Sequence, residues 1–148
     1  MLSIRPPQLT DDRTVLISIH PSYVKKILSG EKRLEFRRRW ASGPVDKLVI
    51  YSTAPVKKLV ATARVEQVIT GTKNELWERA KHVGGGVTED ELFRYLDGKE
   101  IAVAIELSEI TPFSPLDPKT VFGSDFTPPQ SFRFLKPNEM DQLLQGIG

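Results

Sequence analysis

The segment Gly30-Glu31-Lys32-Arg33-Leu34-Glu35-Phe36-Arg37 decides how this 148-residue chain is interpreted. Leu34 and Phe36 alternate with charged residues, a period of two that is typical of a β-strand with one apolar and one charged face. Gly30 can adopt the left-handed conformation that ends a helix. We therefore predict a helix that ends at Gly30, followed by a strand over 32–39 with Leu34 and Phe36 in the core.

Alternating apolar residues flank this segment on both sides. Before it, residues 15–19 are typical of a short buried strand, and Pro21 suits the first turn of the predicted helix. After it, strands are predicted around 48–50, 59–66, 101–107 and 132–134. Several strands with short connections favour an antiparallel barrel or sandwich over a doubly wound sheet.

Two helices are predicted between the fourth and fifth strands. Thr72 with Glu75, and Thr88 with Glu91, each form a capping box ahead of an amphipathic run. The glycines at 84–86 join the two helices and predict a mobile corner. The expected fold is therefore α+β, a mostly antiparallel β-barrel with a short helix after the first strand and an inserted helical pair.

Length and composition are those of one globular domain, with 39% hydrophobic and 27% charged residues. Residues 1–13 lack periodicity, so we predict a flexible N-terminal arm over 1–13 and a single domain over 14–148. No apolar run reaches the roughly 20 residues of a membrane helix, and no signal-peptide pattern is present. We expect a cytoplasmic protein without a membrane partner.

Metal and thiol chemistry have little support in the sequence. The chain has no cysteine, and its two histidines, His20 and His82, have no partner at metal-ligand spacing. We expect neither a metal nor a cofactor.

Positive charge is concentrated in one stretch. Seven basic and two acidic residues lie between Lys25 and Arg39, whereas residues 73–100 hold five basic and seven acidic ones. This uneven distribution favours an anionic partner near the first helix and the strand after it.

The central segment also matches the signature G-x-K-x-x-x-x-R, with Gly30, Lys32 and Arg37 at its fixed positions. With Ile-Ser-Ile-His-Pro at 17–21, Ile-Tyr-Ser-Thr-Ala-Pro at 50–55 and Pro-Pro-Gln-Ser-Phe at 128–132, the chain resembles the ASCH domain family of the PUA-like superfamily. The similarity is to a branch of small proteins described as predicted transcriptional regulators. It implies a PUA-like barrel with the signature along a cleft between the first helix and the barrel wall, and it implies RNA or nucleotide binding.

From the residues and the resemblance together, we expect a basic cleft that binds RNA, a nucleotide or a modified nucleoside. The predicted binding residues are Lys32, Glu35, Arg37, Arg39, Tyr51, Ser52 and Ser131. Lys32 can reach a ligand if it belongs to the turn before the strand; otherwise it is an ordinary edge-strand lysine. Glu35 and Arg37 either orient each other toward an anion or form a solvated pair worth about 0–1 kcal/mol. Trp40 could stack on a base, but core or barrel rim is the favoured interpretation.

An enzyme is the first alternative. Some small ASCH proteins are amidohydrolases that remove the acetyl group of N4-acetylcytidine with a lysine, a threonine and a glutamate. Lys32 matches the lysine, but Glu35 occupies the threonine position and the triple glycine the glutamate position. Lys32 and Glu35 are the candidate catalytic residues, yet a nearby carboxylate is expected to keep Lys32 protonated. We therefore favour a binding module over an enzyme.

A DNA-binding helix-turn-helix formed by the two inserted helices is the second alternative. Its excess of two acidic residues and its triple glycine argue against close approach to phosphates.

Overall fold

The protein is described by a computed structural model over residues 2–5 and 13–148, which contain seven strands and five helices. The elements in order are β1 (Ser3–Arg5), β2 (Thr14–Ile19), α1 (Pro21–Ser29), β3 (Leu34–Arg37), β4 (Lys47–Ser52), β5 (Lys58–Gly71), α2 (Lys73–Val83), α3 (Glu89–Tyr95), β6 (Ala102–Leu116), α4 (Pro118–Phe122), β7 (Phe132–Phe134) and α5 (Pro137–Ile147). Among these described residues, no helix has both the length and the apolar character to cross a membrane.

The strands form one mixed sheet in the order β3-β6-β5-β4-β2-β7, with β1 paired to β5. The pair β2 and β4 is parallel, with Ile17 opposite Ile50, because α1 and β3 intervene between the two strands. The other strand pairs are antiparallel. The sheet curls into a half-barrel, so the expected α+β fold is confirmed.

Apolar residues are packed on both faces of the sheet. In β2, Val15 and Ile17 join the largest core cluster, whereas Leu16 packs on the opposite face with Leu143 of α5. This two-sided burial explains why β2 is a continuous apolar run. Leu34 and Phe36 are buried in a third cluster with residues of α2 and α3, as predicted.

Several elements differ from the expectation. Within the expected arm, Ser3–Arg5 instead form a strand that pairs with β5, while residues 1 and 6–12 lie outside the described residues. Strand β6 continues to Leu116, although Pro112 argues against a strand; register shifts in its pairing with β5 accommodate the proline. Helices α4 and α5 were not predicted.

Candidate functional site

The candidate site lies where the curled sheet does not close on itself. Strand β3 is at one end of the sheet, and β7 with β2 is at the other. A cavity of about 240 Å³ opens beside this seam, between β3, the end of β2, α1 and α3. Its lining residues are Ser18, Ile19, His20, Tyr23, Lys32, Glu35, Phe36, Arg37, Val87, Glu91, Leu92 and Tyr95.

Lys32 lies in the turn before β3 and is only 3% exposed. Its Nζ donates a hydrogen bond of 2.8 Å to the carbonyl oxygen of Gly85, and it lies 5.0 Å from the ring centres of Tyr23 and of Phe36. Gly86 has a φ of +69°, and a Cβ atom there would come within 2.6 Å of Lys32 Cβ. The glycine corner that we predicted to be mobile is therefore a close-packed seat for this lysine.

Glu35 and Arg37 form a buried pair, so the interpretation as a solvated surface pair is wrong. Glu35 Oε2 accepts hydrogen bonds from Arg37 Nε at 3.1 Å and from Nη2 at 2.7 Å. Arg37 Nη2 also donates to the Ser18 carbonyl at 2.8 Å, and Nη1 donates to Ser131 Oγ at 3.0 Å. The guanidinium therefore joins β3 to β2 and to the segment before β7, across the seam.

Lys32 and Glu35 also meet, with 3.6 Å between Lys32 Nζ and Glu35 Oε1. We expected such a contact to keep the lysine protonated. Burial instead lowers the pKa of Lys32 below its ordinary value of 10.5, and Glu35 offsets only part of that shift. The amine is thus closer to its neutral form than the sequence indicated.

The cavity is not basic, in contrast to the cleft we expected. Its lining contains two cations, Lys32 and Arg37, and two carboxylates, Glu35 and Glu91. Lys32 and Arg37 both contact Glu35, so part of their positive charge is balanced within the cavity. The lining favours an uncharged polar group with hydrogen-bonding edges over an anion.

Three of the other predicted site residues lie away from this cavity. Arg39 is exposed beyond the end of β3. Tyr51 is 4% exposed and packs on the far face of the sheet, 6.0 Å from the ring of Phe126. Ser52 lines a neighbouring groove. Trp40 packs against Phe132 with 4.7 Å between ring centres, which agrees with the core or rim interpretation.

Sequence reasoning missed most of the cavity wall, including His20, Tyr23, Glu91 and Tyr95. His20 Nδ1 accepts a hydrogen bond from the Ser22 amide at the start of α1, so a neutral ring carries its proton on Nε2. Glu91 had been interpreted only as a capping residue, and it does accept a hydrogen bond from the Thr88 amide. Its capping-box position at the start of α3 gave no indication that it also lines the cavity.

The helix-turn-helix alternative gains no support from the geometry. The first turn of α3 presents Glu89, Asp90 and Glu91, all exposed, where a recognition helix would approach phosphates. Within the described part of the chain, no three His, Cys, Asp or Glu side chains come together as a metal site requires.

Together, the half-barrel and the polar cavity at its seam define a small α+β domain with a candidate ligand site. Its similarity to known proteins is more specific, since the ASCH domain family matches residues 17–112. A protein of Zymomonas mobilis subsp. mobilis described as an ASCH domain-containing ribonuclease is 33% identical over 139 residues, which are 92% of this chain and 93% of that protein. The chain belongs to the ASCH domain family, as the signature at 30–37 indicated.

Solved structures agree with this assignment. The crystal structure of ASCH from Zymomonas mobilis has a TM-score of 0.82 at 33% sequence identity, covering 91% of this chain and 96% of that one. A serine-to-alanine variant of the Zymomonas mobilis protein has a TM-score of 0.83 at 31% identity, covering 93% of this chain and 99% of that one.

Proposed function

We propose that the protein binds single-stranded RNA and that the cavity at the seam holds one unstacked base. The observation that carries this proposal is the contact of 3.6 Å between Lys32 Nζ, a donor, and Glu35 Oε1, an acceptor. A donor and an acceptor side by side match the edge of a nucleobase, which presents an acceptor next to a donor. Buried, pre-positioned groups of this kind favour selective recognition over general attraction.

The size and the walls of the cavity support the same ligand. At about 240 Å³ the cavity is smaller than the roughly 300–1,000 Å³ of pockets for drug-sized ligands, so it suits one base and not a folded polymer. Tyr23, Phe36 and Tyr95 supply aromatic surface beside the polar pair. Stacking on such rings contributes about 1–3 kcal/mol per base in single-strand binding.

Phosphates of the strand would then be contacted outside the cavity. Lys25, Arg33 and Arg39 are exposed outside the cavity and belong to the basic stretch seen in the sequence. This division agrees with the general pattern in which phosphate contacts provide affinity and base contacts provide selectivity. The relative from Zymomonas mobilis is described as a ribonuclease, which supports RNA as the polymer.

The test compares two isosteric variants by fluorescence anisotropy with short single-stranded RNAs. Glu35→Gln removes the carboxylate at the cavity, and Glu106→Gln removes an equally buried carboxylate that lies away from it. We expect Glu35→Gln to weaken RNA binding at least tenfold, about 1.4 kcal/mol, and Glu106→Gln to leave the Kd within twofold. Circular dichroism and urea unfolding establish that both variants are folded.

Two results would contradict the proposal. One is an equal loss of affinity in both variants, which would mean that the cavity has no special role. The other is wild-type affinity that does not fall with added salt, because exposed cations on phosphates require a salt dependence.

RNA cleavage is a second candidate, favoured by the ribonuclease relative and by the presence of His20 and Lys32 in one cavity. Cleavage needs one group to take a proton and another to return it. His20 supplies an imidazole, which returns a proton in its protonated form, and Lys32 is a buried amine with a lowered pKa, which takes a proton in its neutral form. These two side chains could fill the acid and base roles.

Gel and mass-spectrometric detection of RNA fragments tests cleavage in parallel with binding. His20→Gln and Lys32→Met should abolish fragment formation, whereas His82→Gln, a substitution of the exposed histidine of α2, should not. Ser131→Ala is included because Ser131 Oγ holds Arg37, and because the Zymomonas mobilis protein has been crystallised as a serine-to-alanine variant. Fragments produced equally by wild type and by Lys32→Met would exclude the cavity as the site of cleavage.

A further inference from the structure

A second groove, of about 480 Å³, lies on the other side of the first turn of α1. Its lining includes Ser22, Lys25, Leu28, Ser52, Val56 and Phe113 together with three prolines. The lining is mostly apolar and contains one lysine and no carboxylate. Val56 and Leu28 are 40% and 43% exposed, so the groove is open to solvent.

The groove and the cavity lie on either side of the contact between His20 and Ser22. His20 lines the cavity, Ser22 lines the groove, and their side chains are 2.9 Å apart between Nδ1 and Oγ. A ligand that fills the cavity therefore ends within one side chain of the groove. A chain of connected units could occupy both without leaving the protein surface.

Ser52 contributes a polar side chain to this mostly apolar groove. It is one of the predicted site residues, it is 2% exposed, and it lines the groove. It ends β4 at the carboxyl edge of the parallel pair, opposite Ile19. A serine at this position offers the groove a hydroxyl that can donate and accept hydrogen bonds.

We propose that the groove holds the nucleotide next to the one in the cavity, so that the protein reads two consecutive residues of an RNA strand. This inference rests on the proposed function. Phe113 and the three prolines offer flat apolar surface to a base, Ser52 offers a hydroxyl to its edge, and Lys25 offers a cation to the linking phosphate. The absence of a carboxylate from the lining and the continuity with the cavity favour a strand of nucleotides over a peptide or a second copy of the chain.

The test compares mononucleotides with dinucleotides by isothermal titration calorimetry, using the four nucleoside monophosphates and the sixteen RNA dinucleotides. We expect the best dinucleotide to bind wild type at least tenfold more tightly than the best mononucleotide. Val56→Asp should remove this advantage and leave mononucleotide affinity unchanged, because it places a negative charge in the groove alone. Ile147→Asp is the matched control, since Ile147 of α5 is 41% exposed and lies outside the groove.

A second pair of variants tests whether Val56→Asp acts only by distorting its own turn. Lys25→Glu should also lower dinucleotide affinity selectively. Lys81→Glu should not, because Lys81 of α2 lines neither the cavity nor the groove. Ser52→Ala should give a smaller selective loss, because one hydrogen bond disappears and the apolar surface remains.

The outcomes separate this inference from the proposed function. A dinucleotide that binds no more tightly than its mononucleotide, or an advantage that survives Val56→Asp, overturns the groove and leaves the cavity standing. Mononucleotide binding that is insensitive to Lys32→Met overturns the cavity itself. A wild-type dimer that Val56→Asp dissociates in sedimentation experiments would assign the groove to a second copy and also overturn the inference.

Discussion

Glu35 and Glu106 are buried to the same degree, each 6% exposed, on the neighbouring strands β3 and β6. Because Leu34 is the residue opposite Glu106, the two carboxylates project to opposite faces of the strand pair. Glu35 contacts Arg37 and Lys32 beside an open cavity. Glu106 accepts hydrogen bonds of 2.8 Å from Gln67 and 2.9 Å from Arg79, and it lines no cavity that we identify among the described residues.

The two clusters therefore use a buried carboxylate for different purposes. The Glu106 cluster fastens α2 to the sheet, since Arg79 belongs to α2 and Gln67 to β5. The Glu35 cluster closes the seam of the half-barrel and also keeps one carboxylate oxygen facing the cavity. A buried ion pair is by itself weak evidence of function, and what distinguishes Glu35 is the open space beside it.

The largest contrast should come from removing the arginine of each cluster. Arg37→Met leaves Glu35 buried with only the longer contact to Lys32, so we expect a loss of about 3–5 kcal/mol in the free energy of unfolding. Arg79→Met should cost about 1 kcal/mol, because Arg79 is 32% exposed and Glu106 keeps Gln67. The buried Nε of Arg79 also has no hydrogen-bond partner among the described residues, which lowers the cost further. Urea unfolding measures both, and equal losses would erase the distinction between the clusters.

The two clusters should affect stability at opposite ends of the pH scale. Lys32, which contacts Glu35, should act at alkaline pH. Burial lowers the pKa of Lys32 below 10.5 in the folded protein. Between the folded and unfolded values the unfolded chain holds the extra proton, so stability contributed by Lys32 rises with pH in the alkaline range. Each unit of pKa difference corresponds to about 1.4 kcal/mol. The difference in the free energy of unfolding between wild type and Lys32→Met should therefore increase toward pH 10.

Glu106 should act on the acid side. Burial tends to raise the pKa of its carboxyl, but hydrogen bonds from Gln67 and Arg79 outweigh burial and hold the pKa below 4.5. Its contribution is present above pH 4.5 and is lost as the pH falls through the folded value. Glu106→Gln should flatten the acid limb of the stability curve and leave the alkaline limb unchanged. An alkaline effect from Glu106→Gln would contradict this assignment.

The smallest expected difference between the two clusters comes from removing one hydrogen bond from each. Ser131→Ala removes the bond to Arg37 Nη1, and Gln67→Met removes the bond to Glu106, so each should cost about 1 kcal/mol. Only Ser131→Ala should also weaken RNA binding, because only Arg37 positions a cavity carboxylate. Fluorescence anisotropy measures RNA affinity and urea unfolding measures stability on the same samples. An equal loss of RNA affinity in Gln67→Met would contradict the prediction.

Much of the fold could be predicted from the sequence because its signals are local. Alternation predicted β3 with Leu34 and Phe36 in the core, and the capping boxes at Thr72 and Thr88 predicted α2 and α3. The parallel pairing of β2 with β4 could not be predicted, since a period of two is the same in parallel and antiparallel strands. The full length of β6 could not be predicted, because Pro112 and Pro115 are unfavourable within a strand.

The site was harder to predict because it depends on what lies opposite each residue. Alternation placed Glu35 and Arg37 on a charged face, but a face toward solvent and a face toward a seam have the same sequence pattern. The seam becomes visible only when Ser18 and Ser131, distant in sequence, are brought to Arg37. His20 and Glu91 carried helix-capping signals that gave no indication of the cavity.

The side-chain hydrogen bonds that link β3 to β2 and to Ser131 all come from Arg37, and this affects how the seam can open. Paired strands are joined by a ladder of amide bonds that opens rung by rung, whereas β3 reaches β2 through the guanidinium of Arg37. A single rotamer change of that side chain releases the bonds to Ser18 and Ser131 together. Local opening of the half-barrel along this line would therefore break fewer hydrogen bonds than separation of two paired strands, and it would leave Lys32 and Glu35 together on the β3 side.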